Sequence, residues 1–249
     1  MTKDLNAHSN LINQIYRYLS TDLISEAIEP GSYVLDCGAG DGAVAYPIAA
    51  KGCRVMCLDM SNERLQNIEA NSGELAVEVR HGDVNAIPFP DNTFDAVFSR
   101  MVLPMQPDWQ TTVGEKIRVC KPGGTIVFHH NNQDNMDLSL QLASSDANRM
   151  FVEKGLTRKG RASISTLEEV SSANGASVVR VTPLSFFLTS SLLFRTGLLA
   201  EEVDAYEAEL NRRLADPKVY EFVDWFERDV VKHLPLALNA MMVAVLRKD

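Results

Sequence analysis

An α/β fold with a doubly wound, seven-stranded and mostly parallel sheet is predicted by three features of the chain. Strand-like and helix-like segments alternate between residues 33 and 131. The first apolar run enters a glycine cluster, and acids stand at the ends of the following runs. Alternation of this kind argues for parallel strands joined by crossover helices.

The elements follow in order. Residues 9–28 place Ile12, Ile15, Tyr16, Leu19, Leu23, Ala27 and Ile28 at helical spacing, and Pro30-Gly31 ends the run. Strands are expected at 33–37, 54–59, 76–80, 94–99, 124–130, 177–182 and 240–247. Residues 132–163 are polar and include the basic run Lys154, Arg158, Lys159 and Arg161. Residues 184–238 read as helical: Val203, Tyr206, Leu210 and Leu214 share one face, as do Val219, Phe222, Val223, Phe226 and Val230. Both stretches are expected to cap the sheet, because connections are usually only a few residues long. The chain thus reads as one domain, 1–249. It has an N-terminal helical cap at 1–29, a core at 30–183 and 239–249, and a helical cap insertion at 184–238.

Composition narrows the function. The chain has 249 residues, 45% of them hydrophobic, enough for one sizeable core. A formal net charge of -9 points away from a general nucleic-acid or membrane-surface binder. The start is too polar for a secretory signal, and no apolar run approaches the ~18 residues of a membrane span. A soluble, cytoplasmic protein is expected. Cys37, Cys53, Cys57 and Cys120 form no Cys-x-x-Cys pair and read as buried thiols, so no metal site is expected.

The most informative stretch is Val34-Leu35-Asp36-Cys37-Gly38-Ala39-Gly40-Asp41-Gly42. A buried strand ends in an acid and then a Gly-x-Gly-x-Gly turn. Glycine serves where the backbone turns tightly and a ligand must touch it. The acid suits a cationic amine. Gly38-x-Gly40-x-x-Ala43 also satisfies a dinucleotide fingerprint. Three further features decide. Asp59 ends the second strand, where an acid meets ribose hydroxyls. Gly82-Asp83-Val84 follows the third strand, and Lys121-Pro122-Gly123-Gly124 turns into the fifth.

With these motifs, in this order and spacing, residues 30–131 resemble the class I S-adenosylmethionine-dependent methyltransferases. The resemblance implies S-adenosylmethionine as cofactor and a last strand, Ala240–Leu246, antiparallel and inserted beside the fifth. It implies that Asp36, Gly38 and Gly40, with Ala39 and Gly42 in the same loop, surround the methionine moiety. Asp59 would bind the ribose and Met60 would pack on adenine. Asp83, between Gly82 and Val84, would accept the adenine amino proton. Ser99 would complete the cofactor contacts.

Ligands of open α/β sheets sit beyond the carboxyl ends of the strands. The acceptor side is therefore expected at Ser99, Arg100 and Met101, then His129, His130, Asn131 and Asn132. The expected catalytic residues are Arg100, as a carboxylate anchor, and His129 or His130. The two histidines are adjacent, so a strand points them to opposite faces. A small-molecule acceptor, methylated on oxygen or nitrogen, fits an enclosed site. The alternative is a tRNA wobble uridine carboxylate, because the layout around residues 130–169 is similar to that of the tRNA 5-carboxymethoxyuridine methyltransferases. Ala39 and Asp41 depart from that family's first motif.

Overall fold

The computed structural model describes residues 11–135, 162–187 and 200–249. Helix α1 (Leu11–Glu26) precedes β1 (Tyr33–Cys37), α2 (Ala45–Ala50), β2 (Arg54–Asp59), α3 (Asn62–Asn71) and β3 (Val77–His81). Then come β4 (Phe94–Arg100), α4 (Trp109–Val119), β5 (Cys120–Asn131), α5 (Ile164–Ala173) and β6 (Ala176–Leu184). Helices α6 (Ala200–Leu214) and α7 (Pro217–Trp225) precede β7 (Met241–Lys248).

The seven strands form one sheet in the order β3-β2-β1-β4-β5-β7-β6. It is mostly parallel with one antiparallel pair, and β7 lies between β5 and β6 as expected. Central strands of a parallel sheet are covered on both faces and so read as unbroken apolar runs. Val34 and Leu35 in β1 and Val97 and Phe98 in β4 are all fully buried.

The strand order reverses between β1 and β4. The chain winds from β1 outward to β3, then returns to the other side of β1. The loops after β1 and β4 therefore diverge and leave a crevice at the carboxyl ends of the strands, which is where ligands of such sheets bind. Register fixes what faces what: Asp36 lies beside Phe98 of β4, and Arg100 beside His129 of β5.

Several helices start at side-chain caps. Ser61 accepts from the Arg64 amide at the start of α3, Asp108 from the Thr111 amide at α4, and Ser163 and Thr166 form a capping box at α5. Buried Val113 and Ile117 of α4 and Leu167 of α5 join Leu35, Val97, Ile126 and Phe128 in one core. The Pro122-Gly123-Gly124 stretch lies within β5, which already begins at Cys120 and shifts register against β4 between Phe94 and Ala96. A Cβ on Gly124 would meet the backbone oxygens of Asp95 and Lys121 at 2.7 Å, so only glycine fits this bend.

The chain divides into two compact units. One comprises residues 21–130, 159–181 and 243–249, and holds most of the sheet. The other comprises residues 1–20, 131–158 and 182–242. Inside this second unit, a π-helical turn (Phe226–Val230) places Glu227 at 2% exposure. The Glu227 carboxylate accepts from Tyr16 Oη (2.7 Å) and from the amides of Ser185 (3.1 Å), Phe186 (2.9 Å) and Phe187 (3.0 Å). Burial raises its pKa, and these four donors oppose the rise.

The basic residues Lys154, Arg158, Lys159 and Arg161 lie outside the described residues. All four cysteines are buried free thiols. Among the described residues, no helix is long and apolar enough to cross a membrane, and no cluster has the makings of a metal site.

Candidate functional site

A cleft of about 290 Å³ opens at the crevice between β1 and β4. That is close to the lower limit, ~300 Å³, of small-molecule sites. It is lined by Asp36, Gly38, Ala39, Gly40 and Asp41 from the first loop, and by Asp59, Met60, Gly82 and Val84 beyond β2 and β3. Arg100, Met101 and Val102 close it from the end of β4.

The glycine loop is shaped by contacts on both sides. Gly38 and Gly40 have φ of +76° and +60°, a region that penalises side chains. The amides of Gly38 and Ala39 both donate to the Leu58 carbonyl, at 2.7 and 3.0 Å. A Cβ on Gly38 would come within 2.6 Å of Val102 Cγ2, so the chain after β4 presses directly on this glycine. A Cβ on Gly40 would meet nothing within 4 Å. Gly40 faces the cleft, and its missing side chain leaves room for a ligand against the backbone.

The acids divide by environment. Asp59 is held by two amides, Gly40 N to Oδ2 and Ser61 N to Oδ1, both at 2.9 Å. This fixes its carboxylate at the cleft wall. Asp36 is only 3% exposed, and burial is the main force that pushes its pKa up to about 8. Arg100 is the largest opposing charge; Asp59 and Asp41 add to the rise, and Lys116 opposes it. A buried acid so placed gains most from an incoming cation. Met60 and Met105, each 66% exposed, present apolar side chains at the cleft wall.

Other expected residues lie elsewhere. Asp83 does not line the cleft; its carboxylate accepts from the Asn85 amide at 2.9 Å and closes its own turn. Gly42 is also off the lining, and a Cβ there would come within 2.9 Å of the Tyr46 ring. Ser99 alternates away from Arg100 and receives a hydrogen bond from Lys116 Nζ at 2.9 Å. Lys116 is itself fully buried on α4, stacked 5.0 Å from the Phe128 ring, and burial lowers its pKa to about 8.

His129 and His130 are both buried and, as strand neighbours, point to opposite faces. His129 shares a face with Arg100, through register, and its pKa is lowered to about 3 by burial, His130 and Arg100. Neither histidine lines the cleft.

Arg64, Met105 and Gln106 line the cleft without a motif to announce them. Arg64 sits in the first turn of α3, and Met105 and Gln106 end the short turn after β4. Extending each strand-end motif by one helical turn would have found Arg64 and Met105.

Residues 35–128 match the family described as methyltransferase domain. The chain is 34% identical over 125 residues to an uncharacterised protein of Mycobacterium tuberculosis, covering 49% of this chain and 46% of that one. It is 36% identical over 113 residues to the demethylmenaquinone methyltransferase of Bacillus licheniformis, covering 44% and 49%. Each alignment spans about half the length of these relatives. Among solved structures, geranyl diphosphate methyltransferase in complex with S-adenosylmethionine superposes with a TM-score of 0.61 at 14% identity, over 100% of this chain and 93% of that one. At that identity the likeness concerns the fold. The glycine loop with its two flanking acids and the strand order agree with the family match: residues 35–128 match a methyltransferase domain.

Proposed function

We propose that the protein transfers the methyl group of S-adenosylmethionine to a small-molecule acceptor. The observation that carries this reading is the cleft at the β1–β4 crevice, with a buried acid, an amide-tethered acid and an exposed methionine in sequence along its wall. Asp36 would meet the cofactor's ammonium, Asp59 its ribose diol and Met60 its adenine, with Gly38, Ala39 and Gly40 supplying bare backbone. Bound S-adenosylmethionine would supply a methyl carbon on a positively charged sulfur. The work left to the protein is to align the acceptor in line with it and exclude water.

His129 stays neutral down to about pH 3 and is a weak proton acceptor. This favours an acceptor atom that is already nucleophilic, such as a free amine or a carboxylate, over an alcohol that needs a base. The names of demethylmenaquinone and geranyl diphosphate methyltransferases support a small acceptor. A net charge of -9 weighs against a polyanion, for which several lysine or arginine contacts to phosphate are needed.

Calorimetry tests the cofactor half: S-adenosylmethionine and S-adenosylhomocysteine should bind and NAD should not. Preference for NAD sinks the reading. Transfer of a labelled methyl group across a panel of amines, carboxylates, quinols and tRNA tests the acceptor half, and label in tRNA alone would overturn the small-molecule assignment.

A further inference from the structure

Building on the S-adenosylmethionine reading, we infer that Arg100 grips the carboxylate of the cofactor's amino-acid tail, opposite Asp36, instead of anchoring the acceptor. Three observations place it there. Asp36 lies beside Phe98, and Arg100 stands two residues further along β4, so Asp36 and Arg100 project from the same face of the sheet. The chain that follows Arg100 closes on the glycine loop: Val102 fills the space of a Gly38 side chain, and Arg100 Nη2 lies 3.7 Å from Asp41 Oδ1. The other cation of the cleft, Arg64, belongs to the helix that follows Asp59, at the ribose end.

The backbone holds Arg100 in position. Met101 has φ +58°, a left-handed conformation rare for a residue with a long side chain, and its amide donates to the His129 carbonyl at 2.7 Å. The turn beginning at Arg100 is therefore pinned to β5, and the guanidinium is presented from a fixed base.

An α-amino acid tail is a zwitterion. Asp36 and Arg100 on one face form its mirror image, anion for the ammonium and cation for the carboxylate. A guanidinium meets a carboxylate through two parallel hydrogen bonds, which gives orientation as well as charge. Asp41 competes for Arg100, but its side chain is 60% exposed and the pair is longer than a hydrogen bond, so the tail displaces it at little cost.

The test compares three ligands by calorimetry on the full chain and its Arg100→Gln and Arg100→Lys variants. S-adenosylmethionine and S-adenosylhomocysteine carry the tail; 5'-methylthioadenosine shares the adenosine and sulfur but lacks it. Arg100→Gln should bind both tailed ligands 10- to 100-fold more weakly and 5'-methylthioadenosine within twofold of the unmodified chain. Arg100→Lys should fall between, since it keeps the charge and loses the fork. Equal loss for all three ligands, in a variant with unchanged thermal unfolding, would show a structural role and overturn the assignment. Undiminished affinity for S-adenosylhomocysteine in either variant would return Arg100 to the acceptor. If the unmodified chain binds none of the three, the cofactor reading itself has failed.

Discussion

Replacing Asp36 with asparagine should make the protein more stable and less able to bind its cofactor. The side chain is 3% exposed and its pKa is pushed to about 8 from 3.8, chiefly by burial. A carboxyl group whose folded pKa is raised contributes its full stability only below the unfolded value and loses it as pH rises to the folded value. The window here is pH ~4 to ~8. At ~1.36 kcal/mol per pH unit, the cost of keeping this acid in the fold has a ceiling of roughly 1.6 kcal/mol at pH 5 and roughly 5 kcal/mol at pH 8. Asparagine fills nearly the same volume and never ionises. Allowing for water entering the cleft, a gain of about 2 kcal/mol at pH 8 is expected, shrinking toward zero at pH 4. Urea unfolding from pH 5 to 8.5, followed by tryptophan fluorescence, measures it. The same variant should lose S-adenosylmethionine affinity. The unmodified protein should bind it more tightly as pH rises toward 8, by at most about tenfold per unit, because the ammonium requires the ionised acid. A stability difference that does not grow with pH, or a variant that binds as well as its parent, would refute this account of Asp36.

Three other outcomes follow from the geometry. Asp59→Ala should weaken S-adenosylmethionine binding at least tenfold in a folded protein, since it removes the charge-assisted bonds to the ribose diol, worth about 1.5–3 kcal/mol each, and frees the Gly40 amide; calorimetry with unchanged affinity would disprove the role. Gly38→Ala and Gly40→Val should fail differently. Both put a side chain on left-handed backbone; the first also drives a Cβ into Val102, and each should lower stability by roughly 1–3 kcal/mol, while the second meets no neighbour at its Cβ, projects into the cleft and abolishes ligand binding, as thermal unfolding with and without cofactor would show. Glu227→Gln replaces an acceptor of four donors with a group that has one acceptor oxygen, at a cost of about 2–4 kcal/mol. Amide hydrogen exchange should then quicken at Ser185–Phe187, and unchanged protection there would remove Glu227 from its organising role.

The sequence by itself determined the sheet. Unbroken apolar runs such as Val55–Leu58 and Ala96–Phe98 mark strands covered on both faces, and the glycine loop marks where the backbone must bend after β1. These are local signals: each depends on residues within one element or at its end. The opposite facing of His129 and His130 was equally legible, because strand alternation needs no tertiary information. Tertiary structure alone decided which charged side chains meet. Nothing near Glu227 in the chain announces Tyr16, 211 positions away, or the amides of residues 185–187, 40 to 42 positions away. Lys116 reads as one more cation on the face of α4, and only the packing of that helix on β4 and β5 buries it against Ser99 and Phe128. The same holds within the cleft. Asp83 and Asp59 stand at equivalent strand ends, yet Asp83 turns back to cap its own loop while Asp59 reaches across to the Gly40 amide. Periodicity and composition record where an element lies and which face it buries, whereas a hydrogen bond between distant elements depends on their final distance and angle, which no local pattern encodes.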